Sequence, residues 1–404
     1  MTLPTTAPAV STTLPTPGWR LPAGPAFALL AALITSYLAA SAAPSPLYAL
    51  YREAWGFSAL VLTAVFAVYA LALLGGLLVF GSLSDHLGRR PVLLASLGLE
   101  LASLALFWRA EGVVWLVAAR LLQGLATGIA TATLSAALLD LQRERGALVN
   151  SVAPMIGMAV GALGASALVQ FAAHPAHHVF EVLGGLFVLQ SLAAWFLPET
   201  TPPRPGAWRS LQPRLAVPAP ARATLRQLLP MNTAQWALGG FYLSLGPTLA
   251  RQVSGLEAPL VGGALIATLV LSGAAGIMVM RQRPAGRVLR ESAVLLMAGV
   301  AVTLWGVQAH AVVPLFAGSA IAGVGFGAGF NASVRSLVPL AAAAQRGALM
   351  ASFFVLSYLA FSLPALAAGL AAGRFGLEAA ALGYGGVLMA LCAWAAWRLG
   401  HAAR

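Results

Sequence analysis

Gly81-Ser82-Leu83-Ser84-Asp85-His86-Leu87-Gly88-Arg89-Arg90-Pro91 stands between two long apolar runs and packs an acid, two arginines and two glycines into eleven positions. Gly81 and Gly88 permit a tight reversal, because a residue without Cβ tolerates positive φ and lets helices approach closely. Asp85 is placed to accept hydrogen bonds at a helix N-terminus or to pair with an arginine. Arg89 and Arg90 open the next apolar run, where positive charge marks the cytoplasmic side of a membrane.

The rest of the composition agrees with a loop set in a membrane. Of 404 residues, 60% are hydrophobic and only 8% charged, against about a quarter charged in soluble domains, so the chain reads as a polytopic membrane protein. The net charge of +12 would suggest nucleic acid in a soluble protein. Here the basic residues, all arginine, sit in short loops, which is topology and excludes a nucleic-acid partner. Without lysine there is no candidate for Schiff-base chemistry, and the single Cys392 excludes a disulfide framework and thiolate metal sites. His174, His177 and His178 approach a metal-binding spacing, but Pro175 interrupts it, so they read as a solvated loop and no metal or cofactor is expected.

Residues 1–24, rich in Thr and Pro, read as a disordered cytoplasmic tail without the basic start of a cleavable signal. The first apolar run, 25–43, is long enough to cross about 30 Å of hydrocarbon and ends at Pro44-Ser45-Pro46. Eleven more follow, at 59–80, 91–108, 113–138, 147–171, 178–197, 231–250, 259–280, 292–309, 312–333, 347–371 and 377–397. With residue 1 inside, only Arg52, Arg109, Arg251 and Arg374 fall outside, Arg120 lies within a span, and the other 18 arginines are cytoplasmic. That asymmetry puts both termini in the cytoplasm. A Pro- and Arg-rich linker, 199–229, divides the chain into halves of six spans, 25–198 and 230–400. Shifting the second half by 201 positions aligns Pro46 with Pro247, Gly124 with Gly325, Gly128 with Gly329, Arg145-Gly146 with Arg346-Gly347, and Gly184-Gly185 with Gly385-Gly386. One offset serving five places argues for a duplicated six-helix unit.

The pattern G-x-L-x-D-x-x-G-R-R between a second and a third span resembles the signature loop of the major facilitator superfamily, a family of secondary transporters. Arg120-Leu121-Leu122-Gln123-Gly124 in the fourth span is similar to its R-x-x-Q-G motif. The resemblance implies an all-α membrane protein of twelve transmembrane helices in two pseudo-symmetric six-helix bundles, with a substrate site between them near mid-membrane. It implies a transporter rather than an enzyme, working by alternating access in the cytoplasmic (inner) membrane. The expected version is proton-coupled efflux of amphipathic drug-like or metabolic solutes by a monomer, its partners being the small-molecule substrate, protons and the lipid bilayer. Uptake or uniport of a metabolite is the competing version, favoured by Ala162 where antiporters of the family carry proline; a sensor or scaffold without transport is the alternative of another class.

Gly81, Asp85, Gly88, Arg89, Arg90, Asp140 and Arg145 are the expected gating residues. The resemblance implies a latch in which Arg89 or Arg90 pairs with Asp140 while Asp85 engages the start of the eleventh span. Two ionisable residues lie deep within spans, where charge costs on the order of 3 kcal/mol unless paired. Arg120 either faces the cavity in substrate or proton coupling or snorkels to the interface. Glu100 either exchanges protons or bonds a neighbouring helix. Tyr37, Tyr69, Gln123, Tyr242, Asn331 and Tyr358, with Arg120, are the polar and aromatic candidates for the cavity wall. Such a cavity suits an amphipathic, neutral or anionic solute.

Overall fold

The computed structural model describes residues 20–401, and the described residues form helices without a strand. The expected tail therefore lies mostly outside the described residues. In chain order the helices are α1 (Ala23–Ala42), α2 (Pro44–Trp55), α3 (Ala59–Phe80), α4 (Ser84–Leu87), α5 (Arg89–Trp108), α6 (Val113–Leu141), α7 (Arg143–Phe171) and α8 (Pro175–Ala194). After the linker come α9 (Ala207–Ser210), α10 (Ala219–Ser244), α11 (Gly246–Ser254), α12 (Pro259–Met280), α13 (Ala285–Gln308), α14 (Val312–Leu337), α15 (Arg346–Phe375) and α16 (Leu377–His401).

Proline sets the breaks. Pro44 and Pro46 have no N–H to continue the ladder of α1, so it stops at Ala43 and restarts as α2. Pro247 does the same between α10 and α11. Among the described residues eleven segments are long and apolar enough to cross a membrane, Ala23–Trp55 counting as one of 33 residues. The twelfth is α10, 26 residues long, whose Arg222, Arg226 and Asn232 lower its hydropathy. It starts inside the stretch read as linker, because Pro218 and Pro220 occupy the positions before and within the first turn where proline favours a helix start.

The second half repeats the first in its packing. Gly124 and Gly128 of α6 lie against the backbone of Tyr69 and Leu73 on α3, where any Cβ would collide. In the second half the glycines in that role are Gly323 and Gly327, against Leu269 and Gly273 of α12. Gly325 and Gly329 instead face Ser292 of α13 and Gln235 of α10. The uniform shift of 201 is thus corrected to 199 in this span, since the turns between helices differ in length.

The halves meet along α3 with α15 and α7 with α12. At the end far from the signature loop the contact is close, with Gly369 on Thr63 and Ala59, and Gly263 on Ala162 and Ser166. Small residues are what allow this, since in lipid helix association depends on packing rather than on hydrophobic burial. Towards the signature loop Asn331 Nδ2 donates to Ser151 Oγ at 3.4 Å, and Met155 and Ala159 of α7 pack with Val270, Ala274 and Ile277 of α12.

Candidate functional site

The signature loop turns at Gly88, whose φ of +97° suits glycine and whose absent Cβ leaves room for the carboxylate of Glu199. Glu199 accepts from the backbone N–H of Arg89 at 2.7 Å and of Arg90 at 3.1 Å, satisfying donors at the start of α5 that have no partner within the helix. Arg89 donates from Nη1 to Asp85 at 2.5 Å and to Ser84 Oγ at 2.8 Å, and from Nε to Asp140 at 3.2 Å. The Arg89–Asp140 pair is the one the latch required. Asp85 departs from that scheme: its side chain is half exposed and turns to Arg89 on the next turn instead of the start of α15. In this conformation Asp85 takes its local partner. Arg90 reaches only Trp195 O at 3.4 Å, Gly81 closes α3 beside Ala132, and exposed Arg145 stays outside the network.

The second cluster lies inside the first bundle. Arg120 and Glu100, both fully buried, are the only buried charged residues among those described. Arg120 is the eighth residue of α6, about 12 Å along the helix at 1.5 Å per residue. It turns inward, donating to Tyr48 Oη at 2.6 Å, Ser41 O at 2.9 Å and Gln123 Oε1 at 2.6 Å. The snorkelling reading is therefore set aside. Around the guanidinium stand the rings of Tyr48, Phe66, Tyr69 and Phe107, with centroids 5.1 to 5.7 Å from Cζ. Each hydrogen bond to a charged group contributes roughly 1.5–3 kcal/mol, and desolvated cation–π contacts about 2.

Gln123 carries the chain onward, its Nε2 donating to Ala40 O at 3.1 Å and to Glu100 Oε1 at 3.2 Å. Tyr48, Arg120, Gln123 and Glu100 form one line of hydrogen bonds across α2, α6 and α5. Arg120 Nη2 and Glu100 Oε2 are left without a partner.

The expected cavity residues divide. Tyr37 bonds Ser96 at 3.0 Å and meets Phe187 edge-on, and Tyr242 bonds Ser319 at 2.6 Å, so both pack within their own bundles and do not line a space between them. Arg120 and Gln123 are enclosed likewise. Tyr69 forms a wall of the guanidinium cage, Asn331 bridges to the other half, and Tyr358 joins a ring cluster at 4.8 Å from Trp236.

A twelve-span chain with a charged signature loop and an enclosed arginine motif invites comparison with known transporters, and the sequence profile of the Major Facilitator Superfamily matches residues 27–298. The chain belongs to the major facilitator superfamily. Among solved structures this facilitator is similar to the human organic anion transporter MFSD10 (TETRAN), at 19% identity and a TM-score of 0.62, and to the nucleoside transporter NupG, at 11% identity and 0.74. In each case 93% of this chain and 100% of the other are covered. At these identities the likeness shows the fold. No curated protein sequence matches the chain.

Three residues of the facilitator's sites escaped the sequence reading. Glu199 lies 110 positions from Arg89, and only the neighbouring Pro198 hinted at a fixed turn. Tyr48 follows the Pro44-Ser45-Pro46 break with no motif around it, and Trp236 was one of 10 tryptophans.

Proposed function

We propose that this facilitator exports amphipathic, neutral or anionic small molecules in exchange for protons, from the cytoplasmic membrane, with both termini inside. The two bundles, 25–198 and 230–400, rock about a central site as a monomer. The observation that carries this reading is the buried line from Tyr48 through Arg120 and Gln123 to Glu100. A cation enclosed among rings has one acidic neighbour, reached through one amide. When Glu100 takes a proton the line loses its negative end, and Gln123 must redistribute its bonds between Glu100 and Arg120. Tyr48 sits on α2, past the break at Ala43, so a change at Glu100 is felt where the far end of the first bundle meets the second. With residue 1 inside, the close contact at Gly369 and Gly263 is on the outer side, and the conformation faces the cytoplasm. In that state the Asp85 half of the latch is released.

Uptake is the second reading, favoured by Ala162, which packs on Gly263 where antiporters of the family carry proline. The test is purified protein in vesicles with an imposed pH gradient and an internal pH dye, challenged with amphipathic, anionic and sugar-like solutes. Gradient collapse with one solute class, absent in Arg120→Ala, is the expected result. Solute equilibration without proton movement would remove the coupling from this account.

A further inference from the structure

Apart from the signature loop and the charge line, the second bundle carries a cluster of rings. Trp236 of α10 is met nearly edge-on by three rings: Tyr358 of α15 at 4.8 Å, Phe330 of α14 at 5.9 Å and Phe361 of α15 at 6.2 Å. Phe354 extends the group, 6.3 Å from Tyr358 and 6.5 Å from Phe330. Trp236, Phe330, Phe354 and Tyr358 are only half buried although they lie in the middle stretches of their helices. Helix α10 packs against α12, α14, α15 and α16 of its own half and also touches α3 of the other half, which brings the ring cluster next to the first bundle. Phe361 continues the chain of rings to Phe66 of the first bundle at 6.0 Å, and Phe66 is a wall of the Arg120 cage.

We propose that Trp236, Phe330 and Tyr358 form a subsite for a flat aromatic ring carried by a neutral or anionic solute, an inference that rests on the transport reading and names its substrate class. Rings met at steep interplanar angles and only half buried offer surface on which another flat ring can stack offset or edge-on, the favoured arrangements of aromatic pairs. Charge decides between solutes. The acids of the second half, Glu257, Glu291 and Glu378, lie outside or near the ends of its helices, so no carboxylate faces the rings. The nearer formal charge at the end of the ring chain is the Arg120 guanidinium, with Glu100 one amide farther on, so the cluster favours an anion over a cation whenever Glu100 carries its proton.

The test uses the full chain in detergent and equilibrium dialysis with three probes: 2-naphthoate, octanoate, and a naphthyl trimethylammonium cation. The expected result is naphthoate binding about tenfold or more tightly than octanoate or the cation, a loss of about tenfold in Trp236→Ala, and recovery in Trp236→Phe. Melting curves identify variants that fail to fold, and Tyr358→Leu then supplies the second arm. Equal binding of naphthoate and octanoate, or naphthoate binding unchanged in a folded Trp236→Ala, overturns the subsite. Tightest binding by the cation overturns the charge assignment. Counterflow in vesicles separates this from the transport reading: if naphthoate binds as expected but no probe crosses, the subsite stands and the transport reading fails.

Discussion

In the core of the first bundle Arg120, Gln123 and Glu100 fill the space with hydrogen bonds; at the corresponding depth of the second bundle a cavity of about 30 Å³ is lined by Tyr242, Leu249, Val300, Thr303 and Leu315, among others. The correspondence is residue by residue. Ser103 packs on Ala119 as Thr303 does on Gly318, which matches Glu100 to Val300 and Arg120 to Ser319. Shifts of 199 to 201 likewise match Ser41 to Tyr242, Tyr48 to Leu249 and Phe107 to Val307. A void of that size has room for about one water. The duplicated helix plan has thus been kept while its contents diverged: one copy holds charge, and the other a small void and a cluster of rings.

Four changes break or sharpen this contrast, taken from the largest expected effect. Arg120→Ala leaves Tyr48 Oη, Ser41 O and Gln123 Oε1 without their shared donor. Breaking a buried charged network costs about 3–5 kcal/mol, so the variant should melt well below the parent in detergent and move no solute uphill. Val300→Glu writes the acid into the second core without an arginine to meet it. It should cost about 3 kcal/mol and add no proton movement; proton flux from Val300→Glu combined with Glu100→Gln would show that the two cores are interchangeable.

Gly88→Ala comes next, since a Cβ there adopts a left-handed φ and intrudes on Glu199. A loss of about 1–2 kcal/mol is expected, measured by melting, while solute affinity holds. The smallest effect belongs to Asp85→Asn. In the present conformation it removes one partly exposed ion pair, worth about 0–1 kcal/mol, and under the proposed rocking of the halves it would also remove the latch expected in the opposite conformation. Cysteine labelling from the two sides of the membrane should show the population moving towards the state described here, with equilibrium binding at the rings little changed.

The two halves were also unequally legible in the sequence. Spans, their number and the duplication could be read, because twenty apolar residues and a proline break are local signals. That Arg89 or Arg90 pairs with Asp140 could be read from the family pattern; that it is Arg89 could not. The inward turn of Arg120 could not, since its partners Tyr48 and Ser41 lie 72 and 79 positions away and periodicity is silent about which face a helix turns to its neighbour. The same holds for Tyr37 and Tyr242: a tyrosine at mid-depth looks alike whether its hydroxyl reaches Ser96, Ser319 or a cavity. Aromatic residues on α10, α14 and α15 carry no spacing that announces their convergence on Trp236.

The most direct test of a charged core that couples and a ring-bearing half that binds is Glu100→Gln in vesicles, with solute counterflow and solute-driven proton flux measured on one preparation. The glutamine keeps the hydrogen-bonding shape towards Gln123 but cannot gain or lose a proton. Counterflow retained while proton flux disappears is the predicted result. Proton flux persisting at the parent's rate in Glu100→Gln would contradict the account.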